Sequence, residues 1–491
     1  MAQFSLCMLT SEMMPFAKTG GLADVAGALA PELAQRGADV RAFMPLYASV
    51  RKGPWTFAPV PAVQDVEMAM GARRYRFSLL TTPFPGTRVD AYFIDCPALF
   101  DRPTLYTNDR DEHIRFLVFT RAVIESCQRL QFAPDIFHCN DWHTALLPLL
   151  LRTIYAWDRL FARSRSVLTI HNIGYQGIMP AAALRDLALG PGEALLDPAD
   201  LVYGQVNPLK NGLKLADAVT TVSPTYAREI CRAPLGMGME QVLRERPDGV
   251  IGILNGVDYR EWDPRVDPQL TVHFEPGNLS GKTANKRQAL AAHGLAPAPT
   301  TPLIGIISRL TVQKGFDLLF DALPALLERR DFRLIVLGSG DARYEDFFAT
   351  LARRYPERVG FRAGYDEALA HLMEAGSDMF LMPSRYEPCG LNQMYSLRYG
   401  TIPIVHRTGG LADSVEHFDP QRGTGTGCVF NDFDVAAVSW AINMALDWYA
   451  DQPSWSRLIA NAMAQDFSWG RQVGYYEELF LRLQGEAASK A

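Results

Sequence analysis

The segment FSLCMLT (Phe4–Thr10), followed by LADVAGALAPELAQR (Leu22–Arg36) and DVRAFM (Asp39–Met44), decides the fold. An apolar run too short for a helix leads into a stretch of helical period and then into a second apolar run, which reads as strand, helix, strand. The same alternation continues outward. Ile136–His138, Val167–His171, Ala218–Val222 and Ile251–Leu254 are further strand candidates, each leading into a loop or a helical stretch. Repeated βα units of this kind predict parallel sheets covered by helices on both faces. A second series starts near Pro302: strand Leu303–Ser308, helix Phe316–Arg329, strand Phe332–Leu337, then Asp378–Met382 and Ile402–Val405. This predicts an α/β protein of two doubly wound, Rossmann-like domains. Between the two series, Tyr259–Asn278 is rich in Pro, Asp and Gly and poor in regular period. The boundary is expected there, giving a first domain over 1–258 and a second over 259–469. Arg471–Leu483 reads as a terminal amphipathic helix, and Gly485–Ala491 as a frayed tail.

The bulk properties narrow the function. The chain has 491 residues, 48% of them hydrophobic and 21% charged, with a formal net charge of −6. A nucleic-acid partner would call for a basic face, so none is expected. Seven cysteines form no CxxC pair, which argues against a disulfide framework or a zinc site and for a reducing compartment. No basic, apolar leader is present, and no apolar run approaches the roughly 20 residues that span a bilayer. A cytoplasmic location without a membrane partner is expected.

In doubly wound folds ligands lie beyond the carboxyl ends of the strands, so the motifs that follow strands carry the chemistry. KTGGLADV (Lys18–Val25) opens the first helix. Gly20 and Gly21 allow close backbone approach, the helix start offers unpaired N–H groups, and Lys18 adds a cation, which suits a phosphate. A glycine loop needed only for packing is the other reading. SRLTVQKG (Ser308–Gly315) sets Arg309 and Lys314 after the first strand of the second series, as a diphosphate clamp or a solvated surface. PSRYEPCGLNQ (Pro383–Gln393) offers Glu387 before a glycine turn, either as a ligand group or as a helix cap. HCNDWH (His138–His143) and HNIGYQG (His171–Gly177) supply the polar edges and aromatic face of a sugar pocket. The five-residue spacing of His138 and His143 is not that of a helical metal pair. Asp109-Arg110-Asp111 and Asp432-Phe433-Asp434 read as DxD patterns, neither in a strand–turn context.

Together with LNGVD (Leu254–Asp258) and TGGLADSV (Thr408–Val415), these motifs run in order from about Phe4 to Trp469 and resemble the bacterial glycogen synthase and plant starch synthase family. The resemblance implies a GT-B fold with a deep cleft between the two domains, the last helix (470–491) returning to complete the first. It implies a retaining glucosyltransferase that moves glucose from ADP-glucose to the non-reducing end of an α-1,4-glucan such as glycogen. No cofactor or metal is expected, and an oligomer is compatible. By position, Lys18, Arg309 and Lys314 would meet the donor diphosphate and Tyr365 would stack on adenine. Glu387 would bond the donor glucose, helped by the backbone of Cys389, Gly390 and Leu391. Asp141, Trp142, His171 and Asn255 would line the sugar and acceptor region. Asn392 stands where many relatives have Thr, beside the donor phosphate. A phosphorylase would need a lysine-bound pyridoxal phosphate site, which no segment suggests. A non-catalytic glucan-binding protein would not need Lys18, Arg309, Lys314 and Glu387 intact.

Overall fold

The computed structural model describes residues 3–87, 89–107 and 109–489. The chain divides into two compact units. The first takes the residues up to Val222, Ala227–Gly256 and the stretch from Trp469; the second takes Ser223–Tyr226 and Val257–Ser468. The chain thus passes between units at Gly256–Val257, just ahead of the Pro-, Asp- and Gly-rich stretch, and returns at Ser468–Trp469. Within the second unit Val257 bridges Ser468 in parallel, so the two crossings are tied together there.

Seven parallel strands form the body of the first sheet. Their spatial order is Asp90–Asp95, Asp39–Pro45, Ser5–Leu9, Ile136–Asn140, Arg165–Ile170, Ala218–Thr221, Ile251–Gly252. Strand order reverses between Ser5–Leu9 and Ile136–Asn140, which makes that edge the topological switch point. Both strands are almost wholly buried, as a strand covered on both faces must be. The sheet is not all-parallel as expected. Arg73–Pro83 pairs antiparallel with Asp90–Asp95 and carries Val66–Met70 and Ala58–Pro59 on it. Its side chains alternate, with Tyr75, Phe77 and Leu79 buried while Arg74 and Arg76 face solvent.

The second sheet is parallel throughout, ordered Val359–Ala363, Arg333–Gly338, Leu303–Ile307, Met379–Met382, Ile402–His406, Cys428–Phe430. Its switch point lies between Leu303–Ile307 and Met379–Met382. The helix expected over Phe316–Arg329 begins as a 3-10 turn, Phe316–Leu318, before the α-helix Leu319–Arg329.

The last helix, Trp469–Ser489, belongs to the first unit. Phe480 meets Phe4 edge-on at 5.7 Å, Tyr476 lies 5.9 Å from His138, and Glu477 pairs with Arg36 at 3.0 Å. It continues past Gly485, where a frayed tail was expected; Lys490 and Ala491 lie outside the described residues. Among the described residues no helix is long and apolar enough to cross a membrane.

The irregular stretch after Val257 is anchored rather than loose. Trp262 is sandwiched between His371 and Tyr395, with ring centroids 3.6 and 3.9 Å away. The fully buried Asp267 accepts from His371 Nδ1 at 2.8 Å and from the Tyr399 hydroxyl at 2.5 Å. Burial pushes the His371 pKa down, but its hydrogen bonds to Asp267 and Glu367 outweigh this and raise it to about 9. A base held protonated in the fold stabilises it fully below its unfolded pKa of about 6.5, and that stability is lost as pH rises through about 9. The melting temperature is therefore expected to fall between pH 7 and 9.5. His371→Gln should remove most of that slope, which thermal denaturation across the range measures.

Candidate active site

At the first switch point, the segment from Thr10 to Gly20 leaves the Ser5–Leu9 strand and enters the helix Gly21–Gln35, with Gly20 at its N-cap. Two N–H groups just ahead of the helix are turned toward an anion within the chain. The Glu12 carboxylate accepts from the Thr19 backbone N–H, from the Thr19 hydroxyl at 2.6 Å and from the Gly20 N–H at 3.0 Å. Tyr106 donates to the same carboxylate at 2.6 Å. Sequence reasoning passed over Glu12, although its place directly after a switch-point strand was a usable signal. Lys18 pairs with Asp24 at 2.8 Å, both side chains partly exposed. Packing does not explain Gly20: a Cβ there would meet nothing within 4 Å, and its φ of −154° is open to any residue. The close packing falls instead on Gly27, whose Cβ would lie 2.4 Å from the Met14 carbonyl oxygen.

Across the switch point, Asp141 is the first residue beyond the Ile136–Asn140 strand. It is buried and holds φ at +53°, a left-handed conformation that costs a non-glycine residue about 1–3 kcal/mol. That geometry turns its carboxylate back to accept the His171 N–H at 2.7 Å. Burial raises the Asp141 pKa to about 7. The His171 ring bonds Asn140 Oδ1 at 2.8 Å, and burial lowers its pKa to about 3, so the imidazole is neutral at physiological pH. Trp142 packs against the HNIGYQG loop so tightly that a Cβ on Gly177 (φ +69°) would come within 2.2 Å of its ring. Asn255 is buried, and its Oδ1 has no partner among the described residues. His138 and His143 are core residues. His138 bonds Thr169 at 2.7 Å and His143 stacks on Tyr106 at 5.0 Å, both neutral through burial.

In the second unit, the loops after Leu303–Ile307 and Met379–Met382 flank the second switch point and interlock. Lys314 donates to Glu387 Oε2 at 2.6 Å, and Ser384 donates to the same oxygen at 2.9 Å. Glu387 is buried, and its Oε1 has no partner among the described residues. It does not cap the helix it precedes: that helix is Asn392–Arg398, with Leu391 at its N-cap. Three glycines set the approach. A Cβ on Gly315 (φ +71°) would lie 1.9 Å from the Pro383 carbonyl oxygen, one on Gly409 (φ +43°) 1.9 Å from that of Glu387, and one on Gly410 2.0 Å from that of Cys389. SRLTVQKG and TGGLADSV thus clasp PSRYEPCGLNQ from two sides. Gln393 fastens the turn, its amide donating to the carbonyls of Cys389 and Gly390, each at 3.0 Å. Neither Ser384 nor Gln393 stood out in the sequence.

Arg309, in the same loop as Lys314, is exposed, and its guanidinium has no partner among the described residues. The Asn392 amide donates one of its two N–H groups to the Ile307 carbonyl at 2.9 Å. Tyr365 follows the Val359–Ala363 strand, 65% exposed, its hydroxyl donating to Glu367. Both DxD patterns have structural uses. Arg102 binds Asp109 at 2.7 Å and Asp111 at 2.6 Å. Asp434, which does follow a strand, caps the helix Val435–Ala450 by accepting the Ala437 N–H.

Two folded units, each with its polar residues at the switch point of a doubly wound sheet, match known proteins over nearly the whole chain. Residues 5–245 match the family model of the starch synthase catalytic domain, and residues 292–464 that of glycosyl transferases group 1. The glycogen synthase of Koribacter versatilis is 45% identical over 97% of both chains. The chain belongs to the glycogen synthase family. That of Anaeromyxobacter dehalogenans strain 2CP-1 is 44% identical, over 97% of this chain and 99% of its own. Among solved structures, the catalytic domain of starch synthase IV from Arabidopsis thaliana, bound to ADP and acarbose, superposes with a TM-score of 0.90. It is 34% identical and covers 99% of this chain and 100% of its own. The protein is a glycosyltransferase of GT-B fold, a glycogen synthase by family.

Proposed function

We propose that this chain transfers glucose from ADP-glucose to the non-reducing end of an α-1,4-glucan, keeping the anomeric configuration and using no metal. The observation that carries the reading is the Glu387 cluster. A buried carboxylate is held on one oxygen by Lys314 and Ser384, with its other oxygen open, and the unpartnered Arg309 lies in the same loop as Lys314. Glu387 Oε1 accepts from a hydroxyl of the donor glucose. Lys18, Arg309 and Lys314 supply the positive charge needed as the bond to the anomeric carbon breaks and the diphosphate takes up negative charge. That the related starch synthase IV holds ADP and acarbose, a nucleoside diphosphate and an oligosaccharide analogue, supports the pair of substrates. Its relatives' substrate, a glucan store, fits the cytoplasm, as do seven cysteines that are all free.

Retention commonly uses a carboxylate nucleophile on the face opposite the leaving group. Glu387 is tied to Lys314 and Ser384 and takes a hydroxyl role, so attack occurs from the front face. The acceptor hydroxyl forms its bond to the anomeric carbon as the bond to the diphosphate breaks, and its proton passes to the departing phosphate oxygen. The His171 N–H is committed to Asp141, which leaves carbonyl dipoles, of the correct sign, to stabilise the sugar cation. Trapping with a slow fluorinated donor, read by mass spectrometry of the intact chain, tests this step. No glucosyl adduct is expected, alongside product that an α-1,4-specific hydrolase removes completely. A stable adduct, or a β-linked product, would refute it.

A further inference from the structure

The first unit carries a polar concavity at the opposite end of the sheet from the candidate site residues. It has a volume of about 390 Å³ and is walled by Arg152, Arg159, Arg165, Asp158, Asp217 and Tyr155, among others. Arg165 opens the strand Arg165–Ile170, whose carboxyl end leads to His171. At about 3.3 Å per residue, the strand separates this concavity from the candidate active site by roughly 20 Å. It therefore does not belong to that site.

Its charges are unevenly satisfied. The carboxylates are largely in use. Asp158 accepts from the Leu160 N–H at 2.9 Å and from Gln128 at 2.6 Å, and Asp217 Oδ2 accepts from the Ser166 N–H and hydroxyl at 2.8 and 2.7 Å. The guanidinium groups are less so. Arg152 forms a long ion pair with Asp217 Oδ1, at 3.7 Å and beyond hydrogen-bond distance. The side chains of Arg159 and Arg165 have no partner among the described residues. Three arginines lining one space, two of them with no acidic partner among the described residues, are the chemistry that takes a phosphate. A bare phosphate would occupy only part of a space in the size range of small-molecule sites. The apolar wall of Leu151, Tyr155 and Phe161 gives an organic body something to lie against.

We infer that this concavity is a binding site for a small organic phosphate, a phosphomonoester on a sugar-sized body, separate from the donor site. Isothermal titration of the full chain with a hexose monophosphate tests it, with ADP in excess to occupy the nucleotide region. Saturable binding is expected, with an unphosphorylated hexose giving none and inorganic phosphate binding at least tenfold more weakly. Arg159→Ala with Arg165→Ala should weaken binding at least tenfold. Arg163→Ala, an exposed neighbour outside the lining, should leave it unchanged. Arg159→Ala alone, at an exposed position, provides a further test should the double variant fold poorly, with binding weakened several-fold. Absence of saturable binding, equal binding by the arginine variants, or equal affinity for inorganic phosphate or for the unphosphorylated sugar would overturn the inference.

Discussion

Glu387→Gln is expected to lower kcat by about 10²–10³, roughly 2.7–4 kcal/mol of transition-state stabilisation, while KM for the donor changes by less than tenfold. Glutamine keeps the shape of the side chain and an oxygen for Lys314, so the fold survives. It loses the full negative charge that accepts a sugar hydroxyl and sets the position of the Lys314 ammonium at 2.6 Å. Glu387→Ala should do more. It strips Lys314 of its partner, and breaking a buried pair costs about 3–5 kcal/mol, toward the low end here because the lysine side chain retains 18% of its exposure. Steady-state kinetics with thermal denaturation separates the two effects. Glutamine should cost rate with a smaller loss of stability than alanine, which costs both. A glutamine variant with near-normal kcat would remove Glu387 from the reaction.

Arg309→Ala gives the complementary result. The side chain is exposed and has no hydrogen-bond or ion-pair partner among the described residues. The expected loss is 10²–10³ in kcat/KM, with the melting temperature shifted by no more than about 1 °C. Arg309→Lys should recover only part of it, because an ammonium keeps the charge but not the planar fork that meets two phosphate oxygens at once. Loss of stability matching the loss of rate would make Arg309 a structural residue. Unchanged rate would make it a solvated one.

These two residues also mark where the sequence was readable. Both follow strands at a switch point, and strands buried on both faces announce themselves as unbroken apolar runs such as LIGII at Leu303–Ile307. Position in the chain therefore singled out Arg309, Glu387, Asp141 and His171 as candidates. The antiparallel extension at Val66–Met70 and Arg73–Pro83 has a different signature, alternation of buried and exposed residues. It was there to be read at a period of two. Partner choice was not. Lys314 and Glu387 lie 73 residues apart, and Asn392 reaches an acceptor 85 residues away. Nothing local shows that Asn392 donates to the Ile307 carbonyl, or that Glu12 faces the N–H groups of Thr19 and Gly20. Glycine was informative in a similarly divided way. Gly315 and Gly409 are required by close approach and positive φ, whereas Gly20 is required by neither.

The central claim is that three side-chain cations and one anchored carboxylate suffice to move glucose from an adenine nucleotide sugar to a glucan. Its most direct test is transfer of labelled glucose to glycogen from ADP-glucose and, in parallel, from UDP-glucose, both with EDTA in excess. Rapid incorporation from ADP-glucose, undiminished by EDTA and far slower from UDP-glucose, is the predicted result. Preference for UDP-glucose, or incorporation only after a divalent metal is restored, would contradict it.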